Sequence, residues 1–400
     1  MLLTRIEASG FRNLEGAVEF GPGLNIFYGD NAQGKTNWLE AIYLLANTKS
    51  FRTGQVRECI TFDSPHAILR GDVSHGSVTK QLQLLLTESS KELFVNGKRE
   101  ALVRYITNLD VFVFSLEEME VIRGEPAQRR RFIDRGIVTI KPGFLNTLAE
   151  YNRVVKQKNR LLADASESDD PGSYYSQVEA WNDQLVDLGA MIHDARIDYV
   201  GRLNRVLEEN DHGRAIFGAE RITARYQSQL EGKGDMGRYR ELFRERLALR
   251  MAAEAVAGHC LIGPHRDDLE LLADDREVSR FGSAGQQRSA LLLLDLAQVT
   301  IYTSVYDESP VLVIDDLDAE LDRGRIEALL SQVEGRVQTF VSTSRRGVAN
   351  RYRERSSVYL VEAGRAMRES ATGPETDRQG MAFEGDPPDL ESGDITQGIR

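Results

Sequence analysis

Residues 29–36 read Gly29-Asp30-Asn31-Ala32-Gln33-Gly34-Lys35-Thr36, which fits the phosphate-loop pattern G-x-x-x-x-G-K-[ST]. What precedes and follows them decides the fold. Residues 24–28 (Leu-Asn-Ile-Phe-Tyr) form an apolar strand, and residues 36–45 have helical character. The loop therefore joins a strand to a helix, the context its chemistry requires. Glycines let backbone N–H groups turn inward, and the helix N-terminus adds positive dipole. Lys35 reaches the β and γ phosphates of a nucleoside triphosphate, and the Thr36 hydroxyl takes a magnesium position. A glycine-rich turn ending in a surface lysine is the plain alternative.

Working outward, residues 2–20 read as two strands around the polar turn Arg12-Asn13, and residues 80–102 alternate around Asn96-Gly97, a strong hairpin signal. Residues 111–114 form a buried-strand candidate. A long helical region follows, with apolar spacing over 143–164 and 174–210, a polar break at 167–172, a strand within 214–225 and a helix over 236–257. The α/β pattern resumes at Asp268–Ala273, followed by a helix over 289–302 and the strand Val311–Ile314. The fold class is α/β: a mixed-sheet ATPase head with an antiparallel subdomain, split by an inserted helical lobe. The expected domains are 1–109 (head with the P-loop), 110–258 (lobe), 259–364 (second half of the head) and 365–400, an acidic disordered tail.

Val311–Ile314 ends in Asp315-Asp316, carboxylates at the C-terminal edge of a buried strand, as in a Walker B site. Asp315 is the expected magnesium holder and Asp316 the general base or water-orienting carboxylate. Capping of the following turn is the alternative. Residues 281–288 (FGSAGQQR) open a helix roughly thirty residues before Walker B, and Ser283 and Gly285 resemble the signature motif of ABC proteins. A hydroxyl and free N–H groups at a helix N-terminus make a second anion site, which in ABC proteins receives the γ-phosphate held by the other subunit. The alternative is an ordinary N-capped helix. Ala319-Glu320-Leu321-Asp322 stands where an ABC D-loop belongs, with Asp322 crossing a dimer interface, and Val341-Ser342-Thr343-Ser344 stands where transporters carry a switch histidine. Thr343 offers a hydroxyl to the γ-phosphate but takes up no proton near neutral pH, so hydrolysis is expected to be slow. Leu321 as core and Thr343 as a plain strand end remain open.

The 400 residues carry a net charge of -12, which by itself argues against nucleic acid. Its distribution does not. Residues 369–400 account for -6, while residues 121–160 carry +7, including Arg123, Arg129, Arg130, Arg131, Lys156 and Lys158. This asymmetry fits either one cationic face for a polyanion or a solvated helix surface. Cys59 and Cys260 have no partner spacing, and no run of eighteen apolar residues is free of charge. These features lead to the expectation of a cytoplasmic chain without disulfides, zinc, signal peptide or membrane span.

Together with GFRNL (10–14), KSFRT (49–53), GEPAQRRRFID (124–134) and GPHRDDL (263–269), these motifs resemble the RecF family, bacterial recombination and repair proteins of the ABC-type ATPase class. The resemblance covers residues 1–364. It implies ATP and Mg²⁺ as cofactors, and an ATP-dependent two-fold dimer that binds single-stranded, gapped or junction DNA. It also implies slow, DNA-stimulated hydrolysis acting as a switch, work with RecR and RecO in loading RecA at gaps, and a part in replication restart and SOS induction. Residue by residue it implies nucleotide contacts at Gly29 to Thr36, with Arg12 nearby, magnesium at Thr36 and Asp315, catalysis by Lys35, Asp315, Asp316 and Thr343, and trans contacts from Ser283, Gly285, Gln286 and Asp322. The six basic residues named above would line a clamp that reads phosphate and shape without sequence preference. Ser115-Leu116-Glu117-Glu118 occupies the Q-loop region and holds no glutamine.

Other classes fit less well. The 248 residues between Lys35 and Ser283 far exceed the spacing of a transporter subunit. A chromosome-type ATPase would carry hundreds of heptad residues in the insert. A small-molecule kinase would leave FGSAGQQR without a role.

Overall fold

Three strands of the head are apolar or buried along every residue: Leu24–Tyr28, Val311–Ile314 and Gln338–Thr343. Such strands suit a parallel sheet covered on both faces. The computed structural model, which describes residues 1–209, 221–320 and 323–369, places them side by side with Gln338–Thr343 in the middle. Val111–Phe114 continues the sheet beyond the Walker B strand, and Ser356–Glu362 with Arg365–Arg368 closes the other edge. All pairings are parallel except that of the last two strands.

The N-terminal subdomain is a six-stranded antiparallel sheet whose strands alternate buried and open residues. Asn96 and Gly97 both have positive φ (50° and 74°), as a tight hairpin turn demands. The helix Lys35–Asn47 is buried on nearly every side between this sheet and the parallel one. Trp38 fixes its depth, with no exposed surface and its Nε1–H donating to Gly364 O at 3.0 Å.

Helices Phe144–Ser166, Tyr175–Glu209 and Tyr239–Ala257 pack together as the lobe, and Ile222–Gln227 pairs antiparallel with Asp268–Ala273. The boundaries expected from sequence shift accordingly. Val111–Phe114 belongs to the head sheet, so the lobe starts after it and not at residue 110. A strand from the expected second half of the head pairs with one from the lobe, and the helix Ala284–Tyr306 packs on Tyr175–Glu209 within one core. Residues 1–369 thus form one compact unit. Ala284–Tyr306 is long and apolar enough to cross a membrane by composition, yet most of it is buried inside this core.

Residue 365 does not begin the tail either. Arg365–Arg368 is an edge strand, and Glu369 accepts a hydrogen bond from Tyr28 Oη at 2.5 Å. Residues 210–220, where the expected strand of 214–225 was to start, and residues 370–400 lie outside the described residues.

Candidate nucleotide site

The loop after Leu24–Tyr28 turns on two glycines that no other residue replaces without strain. Gly29 has φ 151°, and a Cβ there would lie 2.4 Å from Val361 O. Gly34 has φ 111°, and a Cβ would lie 2.9 Å from Asn13 Oδ1. Asp30, Asn31 and Ala32 form the exposed crest, with Ala32 in the left-handed region. Gln33 ties the loop to the sheet edge: its carbonyl accepts from Gly364 N and its Oε1 from Ala363 N, both at 2.8 Å. No acidic residue occupies the first turn of the helix that follows, so its N-terminal dipole is uncompensated.

Lys35 curls back into the loop, where Nζ donates to Gly29 O and Asp30 O at 2.8 Å each. Burial lowers its pKa, opposed by the charges of Asp316 and Asp315. A cation held on carbonyls inside a ring of backbone N–H groups is poised to exchange those carbonyls for phosphate oxygens.

Sheet register explains how the two motifs meet. Ile314 pairs with Val341, so Asp315 emerges beside Ser342, which in turn pairs with Phe27 of the P-loop strand. Asp315 Oδ1 accepts from Thr36 Oγ1 at 2.9 Å and from Ser342 Oγ at 2.6 Å. Burial pushes the Asp315 carboxyl above the usual range, while these two hydroxyls pull it down. Ser342 Oγ also accepts from Asp316 N at 2.7 Å, holding Asp316 in a left-handed turn (φ 50°). Burial, then the charge of Asp318, raises the Asp316 carboxyl.

Two residues that carry this geometry were not singled out from the sequence. Ser342 is the middle-strand hydroxyl that reaches Asp315, and Asp318 is a buried acid that gathers the strand end. Thr343 Oγ1 donates to Asp318, Ser344 Oγ does so at 3.2 Å, and Arg345 Nε pairs with it at 3.2 Å. Their signals were present: a hydroxyl beside Thr343 in VSTS and a third acid in IDDLD. Thr343 itself is fully buried, and its hydroxyl both donates to Asp318 and accepts from Arg345 N. Its proton is committed in cis, and it bears on the site through Asp318.

Arg12 is bonded to the P-loop helix. Its guanidinium grips the buried Glu40 with Nε at 3.0 Å and Nη2 at 2.8 Å and donates to Glu58 O at 2.9 Å, bracing the P-loop helix from behind. Asn13 is the residue of that turn which reaches the loop, through Gln33 O at 3.4 Å and Asn37 Nδ2 at 2.7 Å.

Ser283 is exposed at the N-cap of Ala284–Tyr306 in a capping box: its Oγ accepts from Gln286 N at 3.2 Å while its own N–H donates to Gln286 Oε1 at 2.6 Å. Gly285 leaves the first turn without a side chain, with Arg325 as the nearest neighbour of a built Cβ. The N-cap reading is therefore realised, and on a helix end that faces solvent. Asp322 lies outside the described residues.

Four of the six basic residues expected to line a clamp are bonded within the chain. Lys158 is fully buried, 2.8 Å from Glu254 Oε2. Arg129 forks onto Asp268 at 2.7 and 2.9 Å, Arg130 donates to Asp267 O at 2.6 Å, and Arg123 donates to Gln287 Oε1 at 2.7 Å. Arg131, bonded to Gln128, and Lys156 are exposed and carry no ion pair among the described residues. Packing of helix Pro126–Ile140 against Asp268–Ala273 accounts for the difference: it brings acids from far along the chain onto the arginine face.

The family of RecF/RecN/SMC N-terminal domains matches residues 2–367. The DNA replication and repair protein RecF of Ligilactobacillus salivarius is 34% identical over 377 residues, spanning 93% of this chain and 98% of the relative. The protein of the same name from Staphylococcus epidermidis is 34% identical over 374 residues, 92% and 100% of the two chains. Among solved structures, the recombination mediator protein RecF-ATP of the RecFOR pathway superposes with a TM-score of 0.82 at 28% identity, covering 92% of this chain and 97% of that one. The RecF-ATPrS form does so at the same TM-score and identity, covering 92% and 98%. An SmcHead bound to the C-winged helix domain of ScpA shares the fold alone, with a TM-score of 0.51 at 14% identity over 92% of this chain and 98% of that one. A P-loop and Walker B edge joined by the Thr36–Asp315 hydrogen bond, a split head and near full-length similarity converge on one assignment: the chain belongs to the RecF family and has the ABC-type ATPase head fold.

Proposed function

We propose that this chain is an ATP-dependent DNA-binding protein of recombinational repair, in which ATP joins two copies and hydrolysis releases them. The observation that carries the reading is the convergence of Thr36 and Asp315 on one hydrogen bond at the open edge of the sheet, below a loop that holds Lys35 ready for phosphate. The hydroxyl and the carboxylate are hard oxygen donors of the kind magnesium prefers, and they sit close enough to serve one ion. When bound, that ion supplies charge neutralisation at the phosphates. Around it, Lys35 exchanges Gly29 O and Asp30 O for phosphate oxygens, and Asp315 is turned by Ser342 to face Thr36. Asp316 orients water for attack.

The exposed N-terminus of Ala284–Tyr306, with Ser283, Gly285 and Gln286, presents the second anion site to a partner copy. Thr343 offers no ring nitrogen for proton exchange and is bound to Asp318, which supports slow turnover that DNA accelerates. Arg131 and Lys156 supply phosphate contacts that steer DNA without reading sequence. We propose further that the protein works in the cytoplasm with RecR and RecO, favours gapped or junction DNA, helps load RecA there, and contributes to replication restart and SOS induction.

Sedimentation of wild type and Lys35→Met, with and without ATP, magnesium and gapped DNA, tests this. Wild type shifts from monomer to dimer with ATP and binds DNA more tightly, and Lys35→Met does neither. ATP binding without a dimer, even with DNA present, overturns the trans role of Ser283 and Gly285.

A further inference from the structure

Gln287 is buried one residue beyond the exposed turn that opens the signature helix. Its Nε2 donates to Val278 O at 3.1 Å and Ser279 O at 3.2 Å, the last turn before Gly282-Ser283. Its Oε1 accepts from Arg123 Nε at 2.7 Å. An amide can donate to two carbonyls and accept from a guanidinium in only one orientation, so Arg123 and the two carbonyls together hold the amide between them. The turn it controls is tightly folded: a Cβ on Gly282 would lie 2.6 Å from Val278 O and 3.4 Å from Gln287 Cγ.

Arg123 lies close in sequence to the Walker B edge. It closes the short helix Glu120–Arg123 that follows the strand Val111–Phe114, whose Phe114 O accepts from Asp315 N at 2.9 Å. The next residue, Gly124, has its carbonyl held by Arg129 Nη1 at 2.7 Å, and Arg129 grips Asp268 on the strand that leads by way of Arg276–Glu277 and Val278–Phe281 into the signature turn. One short segment thus references the signature turn from both sides.

We propose that Arg123 is a positioning residue for the trans nucleotide site: by setting the Gln287 amide it holds the Ser283 end of the helix in the attitude that meets the partner's nucleotide. This rests on the ATP-dimer reading above. The role belongs to dimerisation and turnover, and leaves cis nucleotide binding unchanged.

The test uses the full chain and three readouts: affinity for a fluorescent ATP analogue, ATP-dependent dimerisation by sedimentation, and hydrolysis. Arg123→Ala keeps analogue affinity within about two-fold of wild type and weakens dimerisation about ten-fold or more, as loss of a hydrogen bond to a charged group would. Arg123→Lys recovers part of the loss. In a double-mutant cycle the losses of Gln287→Ala and Arg123→Ala are less than additive, because both remove the Arg123–Gln287 contact. The proposal is overturned if Arg123→Ala dimerises like wild type, if its analogue affinity falls in step with dimerisation, or if the two losses are additive. Should Gln287→Ala fail to fold, the Arg123 pair decides alone. If wild type binds ATP yet stays monomeric, the dimer reading fails first and the proposal falls with it.

Discussion

Lys158 Nζ lies 2.8 Å from Glu254 Oε2 in the interior of the lobe, and neither side chain exposes any surface. Lys158 also donates to Asn182 Oδ1 at 2.9 Å, and Glu254 Oε1 accepts from Leu261 N at 2.8 Å. Lys158→Met strands a buried carboxylate and is expected to cost about 3–5 kcal/mol in urea denaturation. Lys158→Met with Glu254→Gln returns much of that. Equal stability of the single and double variants would show that the pair is not coupled.

Ser342 should matter to turnover more than to folding. Ser342→Ala removes the hydroxyl from Asp315 and the acceptor from Asp316 N, so both carboxylates lose their aim. Loss of such a supporting partner typically lowers metal affinity or activity about 10–100-fold. Magnesium titration of the ATPase reads this as a higher metal requirement and a lower kcat, with a melting temperature near wild type.

The lobe should lose stability on acidification through its histidines. His193 stacks on Tyr239 with centroids 3.7 Å apart, and burial depresses it to about 4; His265 accepts from Tyr151 Oη and is likewise held at about 4. Each takes up a proton more readily when unfolded, where its value is about 6.5. Stability from both is therefore present above pH 6.5 and lost as pH falls toward 4. Asp110, raised to about 7 by burial, works in the opposite direction as pH rises. Chemical denaturation at several pH values should show a shallower acid slope for His193→Phe, which keeps the stack and removes the proton site.

Charge reversal at Arg131 or Lys156 should weaken DNA binding uniformly across sequences and reduce the salt slope by about one per phosphate contact removed. Fluorescence anisotropy from low to moderate salt checks this. Arg129→Ala, whose guanidinium is already spent on Asp268, should leave the slope unchanged.

What could be read without coordinates was local. The P-loop, the Walker B edge, the Asn96-Gly97 turn and the Ser283 helix start each show themselves within a dozen residues, because strand, turn and cap preferences act at that range. The pairings that build the site act over far greater separations. Ser342 reaches Asp315 only through strand register, Val111–Phe114 joins the head only through parallel pairing with Val311–Ile314, and Arg129 meets Asp268 across 139 positions. The burial of Lys158 was legible as well. Tyr151, Val154, Lys158, Leu162 and Ala165 form the buried stripe of their helix, and a lysine in such a stripe is paired inside before it is free outside.

The bond from Tyr28 to Glu369 sets where the acidic extension can be cut. Tyr28 is the last residue before the P-loop, and Glu369 also pairs with Arg353. A chain ending at residue 364 would strip an edge strand from the sheet and release the P-loop strand's terminal side chain, so its defects would report damage to the nucleotide head. Only a truncation after Glu369 isolates what the last 31 residues contribute.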